Sequence, residues 1–251
     1  MSMRVIVNAD DFGLSPAINY GIIEAHRHGV VTSTTAMMNA NAIEHAASLS
    51  ADFPGLGIGL HFVLSFGVPL TAMSSLAREG KLGKWIWDTA EQGLLQDGDI
   101  AAELHAQYER FIVLFGRQPT HIDSHHHVHF IPQVWRQVER FCREKGLPIR
   151  MDGKTTCTSP MPAPVRGPER FNGDFYGQNA TIAFFIDALQ KAKEEGATSI
   201  EMMCHPGFVD NVVRQSHYCE PRLEELEILT SPELKQALLE QGYQLATYRN
   251  L

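Results

Sequence analysis

Short runs rich in β-branched and apolar residues alternate with longer amphipathic runs along most of the chain, and this alternation limits the fold more than any other feature. "RVIVN" (4–8) has the character of a buried strand, and "PAINYGIIEAHRHG" (16–29) that of a helix with Ser15 as N-cap, Pro16 at its first position and Gly29 at its end. "TSTTAMM" (32–38) and "GIGLHF" (57–62) read as strands around a helix at "NAIEHAASLSA" (41–51). Residues 99–115 place Leu104, Tyr108, Phe111, Ile112 and Phe115 on one helical face. "THID" (120–123) predicts a strand, "IPQVWRQVERFCREKG" (131–146) a helix and "PIRM" (148–151) a strand. A helix at 179–195, the strand "SIEMMCH" (199–205), a long loop, a helix at 232–241 and the strand "YQLATY" (243–248) complete the series. About seven βα units imply a parallel sheet covered by helices. No Gly-rich dinucleotide loop follows the first strand, which favours an irregular (β/α) barrel over a doubly wound sheet. The expectation is one domain over residues 1–251, with loop insertions near 63–98 and 152–178. The second includes the Pro-rich run 158–171, a surface excursion that cannot be regular.

The size agrees, since 251 residues are close to the roughly 250 typical of such barrels. A net charge of −8 without a basic stripe argues against nucleic acid as a partner. The N-terminal apolar run is broken by Asn8 and Asp10, and no segment approaches a membrane span, so a cytoplasmic protein without a membrane partner is expected. Cysteines 142, 157, 204 and 219 show no CxxC spacing and read as buried or free thiols.

In a parallel barrel, chemistry collects at the C-terminal ends of the strands. Those ends carry Asp10 and Asp11, His61, Asp123 with His125, Arg150, and His205. Taken singly they have plainer readings, Asp10 and Asp11 as turn residues capping a helix and His61 as a satisfied, partly buried histidine. The tract "HIDSHHHVHF" (121–130) is harder to dismiss, with five histidines in ten positions. If extended, it puts Asp123, His125, His127 and His129 on one side and His126 on the other. So many imidazoles together make a metal the economical partner. A catalytic ion needs about three protein ligands and an open position. One carboxylate of the 10–11 pair, His61 and His125 supply three. His127 and His129 then support the ligands. Adjacent aspartates point different ways, so one ligates while the other stands by the water as base, which suggests metal-assisted hydrolysis.

The segments "IVNADDFGLSPAINYGIIEAHRHGVVTSTTAMMN", "GIGLHFVLSFGVPLT", "LGKWIW", "PTHIDSHHHVH" and "EMMCHPGFVDN" resemble the YdjC/ChbG-type carbohydrate deacetylases, above all the chitooligosaccharide (chitin disaccharide) deacetylase group. The likeness runs from residue 4 to the last strand. It implies a polysaccharide-deacetylase-like barrel, often dimeric, and one divalent ion per chain held by Asp11, His61 and His125, with Asp10 as general base. The implied reaction removes acetyl from an N-acetylglucosamine unit of chitobiose or chitotriose, in 6-phosphorylated form after uptake. Two imidazoles and a carboxylate suit zinc, while the resemblance also admits magnesium.

The leaving amine needs a proton, for which His205 is the candidate acid, and Arg150 is placed to orient Asp10. Trp85, Trp87 and His127 are candidate substrate contacts. Arg214, Arg222, His217 and Lys84 are candidates for a phosphate. The rivals are a two-metal phosphoesterase and a non-catalytic sugar or metal sensor on the same barrel.

Overall fold

The structure is a computed structural model and describes residues 2–153 and 165–251. Seven strands form one sheet in which every pairing is parallel. They are β1 (Arg4–Phe12), β2 (Ser33–Ala36), β3 (Gly57–Phe62), β4 (Ile122–Ser124), β5 (Arg170–Asn172), β6 (Ser199–Cys204) and β7 (Gln244–Leu245). The spatial order is β4-β3-β2-β1-β6-β5, with β7 beside β1. β7 pairs Arg4 and Val5 of β1, and β2 takes up its pairing from Asn8 onward. Beyond β4 the backbone bonding continues. Ile122 bridges Ile149, and Ile149 N–H donates to the carbonyl of Arg166 in the segment leading into β5, the opposite edge. The sheet therefore curls back on itself as an irregular barrel, and side chains at its strand ends converge.

Helices α1 (Pro16–Arg27), α2 (Ile43–Ser50), α3 (Ile86–Glu91), α4 (Asp97–Phe115), α5 (Pro132–Lys145), α6 (Ile182–Glu194), α7 (Pro221–Thr230) and α8 (Pro232–Glu240) accompany the sheet. The N-terminus of α1 forms as its sequence dictates: the Ser15 hydroxyl accepts from Ile18 N–H at 3.2 Å, and Pro16 occupies a first-turn position where no intrahelical donor is needed. Glycine in left-handed conformation ends α4 at Gly116 and α5 at Gly146. No described helix is long and apolar enough to cross a membrane.

Several expected elements change. The stretch 148–151 is not a ladder strand but the single bridge at Ile149, although Arg150 N–H still bonds Ile122 O. The strand count holds at seven because β5 forms at 170–172, inside the expected excursion. Residues 154–164, which include Cys157 and most of the Pro-rich run, lie outside the described residues. The insertion at 63–98 contains α3 and is tied down by α4: Glu103 accepts from the backbone N–H groups of Leu70 and Thr71, and Gln107 bonds both backbone groups of Val63. The long loop before 232 contains α7. The last strand shrinks to 244–245 and is followed by a short 3-10 turn over Tyr248–Asn250.

One close approach fixes the loop after β6. A Cβ at Gly21, on α1, would stand 2.4 Å from Gly207 Cα and 2.9 Å from Phe208 N, and this is backbone that cannot swing aside. Gly21→Ala, otherwise a helix-favouring change, is expected to destabilise the fold by about 1–3 kcal/mol through overpacking. Thermal denaturation should register about 2–4 °C per kcal/mol in a chain of this size. An unchanged Tm would show that the 205–208 loop yields without cost.

Candidate metal centre

Asp10 and Asp11 end β1, where the register against β2 slips between Ala9 and Phe12 and Asp11 takes φ 70°. A bulge of this kind re-aims side chains. The two aspartates nevertheless point different ways, Asp11 toward His61 and His125 and Asp10 toward Arg150, while both border one cavity of about 650 Å³. His61, His125, His126, His127 and His205 border it as well.

Asp11, His61 and His125 each offer one ligand atom, all within 4.8 Å of one another. Asp11 Oδ1 lies 3.0 Å from His125 Nδ1 and 3.5 Å from His61 Nε2. Even so, Asp11 Oδ1 and His61 Nε2 are buried with no hydrogen-bond partner among the described residues. Their other faces are committed. Arg222 Nη2 donates to Asp11 Oδ2 at 2.6 Å, and His61 Nδ1 lies 2.7 Å from Asp123 Oδ1, its register partner across β3 and β4. Once Nε2 gives up its proton to a cation, the proton on Nδ1 facing Asp123 leaves the Nε2 lone pair directed at the space beside Asp11, the arrangement that orients histidine ligands. Burial opposes charge on His61, but Asp123 and Asp11 outweigh it and raise its pKa to about 10. Burial would likewise raise Asp11, yet Arg222 and His125 hold it well below the usual carboxylate range. The donor set and the two orphaned atoms fit a divalent cation.

Behind this group Arg150 is fully buried. Its Nη1 and Nη2 donate to Asp10 at 2.8 and 2.7 Å, Nε and Nη2 donate to Glu201 Oε1 at 3.0 and 2.7 Å, and Nη2 lies 2.9 Å from Asp123 Oδ2. Burial disfavours the Asp10 carboxylate, but Arg150 reverses this and keeps it ionised far below its ordinary range. Glu201 also accepts from the Tyr248 hydroxyl. Asp10, His61 and Asp123 form a second group with ligand atoms in mutual reach, but Arg150 already neutralises its carboxylates.

His205 borders the cavity beside Tyr176 and Tyr218, with ring centroids 5.5 and 5.7 Å away, and its Nδ1 has no partner among the described residues. Burial lowers its pKa to about 4 despite Asp11 and Asp10, so the ring is neutral. Its backbone N–H donates to Glu225, which also accepts from the Tyr218 hydroxyl. Burial raises the pKa of Glu225 to about 7.

The histidine run is not extended as expected. After Ser124 it coils into a 3-10 turn over His125–Phe130, with His126 and His127 both at φ 55°. Left-handed conformations of this type cost about 1–3 kcal/mol each in non-glycine residues. The imidazoles therefore disperse instead of lining one side. His125 faces Asp11, and His126 Nδ1 lies 2.8 Å from Ser65 Oγ. The backbone N–H of His129 donates to Ser124 Oγ at 2.9 Å, and its Nε2 lies 3.3 Å from Arg150 O.

The expected substrate contacts divide. Trp87, His127 and Arg222 border cavities, as do Lys84 and His217. Arg222 is buried, with Nε bonded to the Tyr218 carbonyl and Nη2 to Asp11, while its Nη1 has no hydrogen-bond partner among the described residues. Trp85 is an anchor: its indole N–H donates to Leu76 O at 2.8 Å, and Arg78 lies over its ring. Arg214 is exposed and outside the cavity lining. Sequence reasoning missed Glu201, Glu225 and Tyr218, and it did not assign Asp123 its hold on His61. A carboxylate inside the apolar run "SIEMMC" was the available signal, because a buried acid requires a partner.

Comparison with known proteins agrees with this architecture. The profile of the YdjC-like protein family matches residues 4–240. A chitooligosaccharide deacetylase of Escherichia fergusonii is 54% identical over 99% of both chains. A crystal structure from Enterococcus faecalis, of a candidate cellobiose-phosphate cleavage protein, superposes with a TM-score of 0.91 at 33% identity, over 100% of this chain and 99% of that one. A family 4 carbohydrate esterase from Streptomyces lividans superposes at 0.55 with 12% identity, over 98% and 92%, a likeness of fold alone. By the profile match and the full-length relatives, the chain belongs to the YdjC-like protein family.

Proposed function

We propose that this chain is a metal-dependent carbohydrate N-deacetylase that hydrolyses the N-acetyl group of N-acetylglucosamine units in chitooligosaccharides and releases acetate. The observation that carries the reading is the pair of orphaned, buried ligand atoms, Asp11 Oδ1 and His61 Nε2, converging with His125 beside the ionised Asp10. Relatives named chitooligosaccharide deacetylases at 51–54% identity over their full length supply the substrate class. Asp11, His61 and His125 would hold one divalent ion, and their two imidazoles favour zinc over magnesium. When bound, such an ion supplies Lewis acidity that polarises a carbonyl and eases deprotonation of water.

The chain's own groups do the rest. Asp10 accepts the proton of the attacking water as general base, its carboxylate fixed by two bonds from Arg150. The same bonds make it a weak base, so its contribution is to be ionised and in position before the proton arrives. His205 gives the leaving nitrogen its proton. It starts neutral and takes that proton from solvent in the cavity, a charge that Asp10 and Asp11 favour, and Asp10 returns the water's proton to solvent. Lys84 and His217 at the cavity border suit the phosphate of a 6-phosphorylated sugar. The reading is completed by one domain over the 251 residues, working as a cytoplasmic homodimer in chitin-oligosaccharide catabolism.

The two-metal phosphoesterase is disfavoured by Arg150. A second ion at Asp10, His61 and Asp123 would have to displace a guanidinium already bonded or paired to both aspartates. Elemental analysis should find one tightly held divalent ion per chain, and two would favour the phosphoesterase.

Asp10→Asn should cut acetate release from chitobiose about 10²–10⁴-fold, the usual worth of a general base, while the ion stays bound. His61→Ala and His125→Ala should lose the ion itself. Full turnover in Asp10→Asn would remove its catalytic role, and no acetate release by the wild-type protein would favour the sensor. Arg150→Met strands three buried carboxylates and should destabilise the fold by about 3–5 kcal/mol in urea titration. A loss below 1 kcal/mol would mean that water reaches the cluster.

A further inference from the structure

A second cavity of about 720 Å³ lies beside the candidate centre, between α3 and the start of α5. Its volume falls within the roughly 300–1,000 Å³ of small-ligand sites. Trp87, Phe130, Ile131 and Pro132 give it an apolar wall, and Glu91, Gln133 and Arg136 contribute polar groups.

The two cavities adjoin. His127 borders both, and the His126 ring on the candidate-centre side lies 6.3 Å from the ring of Trp87 on the other. The ridge between them is the strained pair His126 and His127, each at φ 55°. His127 Nδ1 is buried there with no hydrogen-bond partner among the described residues. The turn thus holds an unused imidazole nitrogen at the passage from one cavity to the next.

We propose that this second cavity is a sugar subsite, taking the N-acetylhexosamine ring adjacent to the one whose acetyl group lies at Asp10 and Asp11. The proposal rests on the deacetylase reading for the direction of the chain, and on the cavity itself for its chemistry. A pyranose ring presents an apolar C–H face and a rim of equatorial hydroxyls. Trp87 receives the face. Glu91, Gln133 and Arg136 bond the rim, with carboxylate, amide and guanidinium meeting both donors and acceptors. His127 Nδ1 bonds a hydroxyl beside the glycosidic link, where the chain crosses the ridge. An oligosaccharide is favoured over a purely apolar ligand because those three polar side chains would otherwise be desolvated without compensation.

The test is calorimetric titration of the metal-loaded protein carrying Asp10→Asn, to prevent turnover, with N-acetylglucosamine, chitobiose and chitotriose. The two oligosaccharides should bind about tenfold more tightly than the monosaccharide, the worth of one aromatic contact. Adding Trp87→Ala should abolish that ratio, and Trp87→Phe should retain most of it. Arg136→Ala, at an exposed position that does not threaten folding, should reduce the ratio about two- to threefold, the worth of a hydrogen bond at the weak end. An oligosaccharide advantage that survives both Trp87→Ala and Arg136→Ala overturns the subsite. So does an equal loss for monosaccharide and oligosaccharides. A change in sedimentation without a change in sugar binding would give the cavity to a second copy of the chain. Acetate release by the wild-type protein reports separately on the deacetylase reading. Acetate without a Trp87-dependent ratio ends the subsite alone, a Trp87-dependent ratio without acetate ends the reaction alone, and the absence of both ends both.

Discussion

The guanidinium of Arg150 is the interaction on which the interior of this barrel depends. It stands among Asp10 from β1, Asp123 from β4 and Glu201 from β6, all of them buried. A carboxylate buried without a partner costs several kcal/mol, so three would be untenable. Arg150 joins them with five short N···O approaches, and its planar fork lets one side chain serve three strands. This polar knot replaces the apolar layers that fill many barrels. Its position explains why Arg150 N–H keeps its bond to Ile122 O although the ladder around it is reduced to one bridge.

The order of strands and helices was legible in the sequence because it depends on periodicity, which is local. β3 forms over the residues expected, and α5 and α8 within a residue of their expected ends. The convergence of Asp11, His61 and His125 was legible for a related reason: in a parallel sheet every strand end faces the same way. What periodicity does not encode is backbone turned left-handed. Asp11 at φ 70° and His126 and His127 at φ 55° are not glycines, and no residue type at those positions announces the turn. For that reason the shape of the histidine run was misjudged. The roles of Glu201 and Asp123 are properties of a three-dimensional charge cluster, visible in the sequence only as acids in otherwise apolar strands.

The histidine run gains meaning once it is coiled. His121 stacks on Tyr248 at 3.6 Å and lies 3.1 Å from Asn8 Oδ1, which ties β1 to the C-terminal segment. His129 fastens the turn to Ser124 and to the Arg150 carbonyl. Between these two anchors His125, His126 and His127 are held along the cavity border. Burial lowers the pKa of both His126 and His127 to about 3, so they stay neutral and do not repel a cation near His125. Two rings thus pin the turn, and three are left to face a ligand.

Charge balance connects the polar knot to the proposed ion. Arg150 alone meets Asp10, Asp123 and Glu201, and Arg222 meets Asp11 through one oxygen only. Carboxylates outnumber guanidiniums, and the pKa of about 10 at His61 is the response, an imidazolium retained in a site where burial alone would neutralise it. Nearby His127 shows what burial does without a directly bonded acid, since its pKa falls to about 3. A divalent cation beside Nε2 would take over the charge that this proton supplies. It would find Asp11 Oδ1 already free of competing hydrogen bonds, while Asp123 keeps the ring oriented through Nδ1. A second cation deeper in the barrel would instead face Arg150, which is why the excess of carboxylates points outward to the cavity and to a single ion.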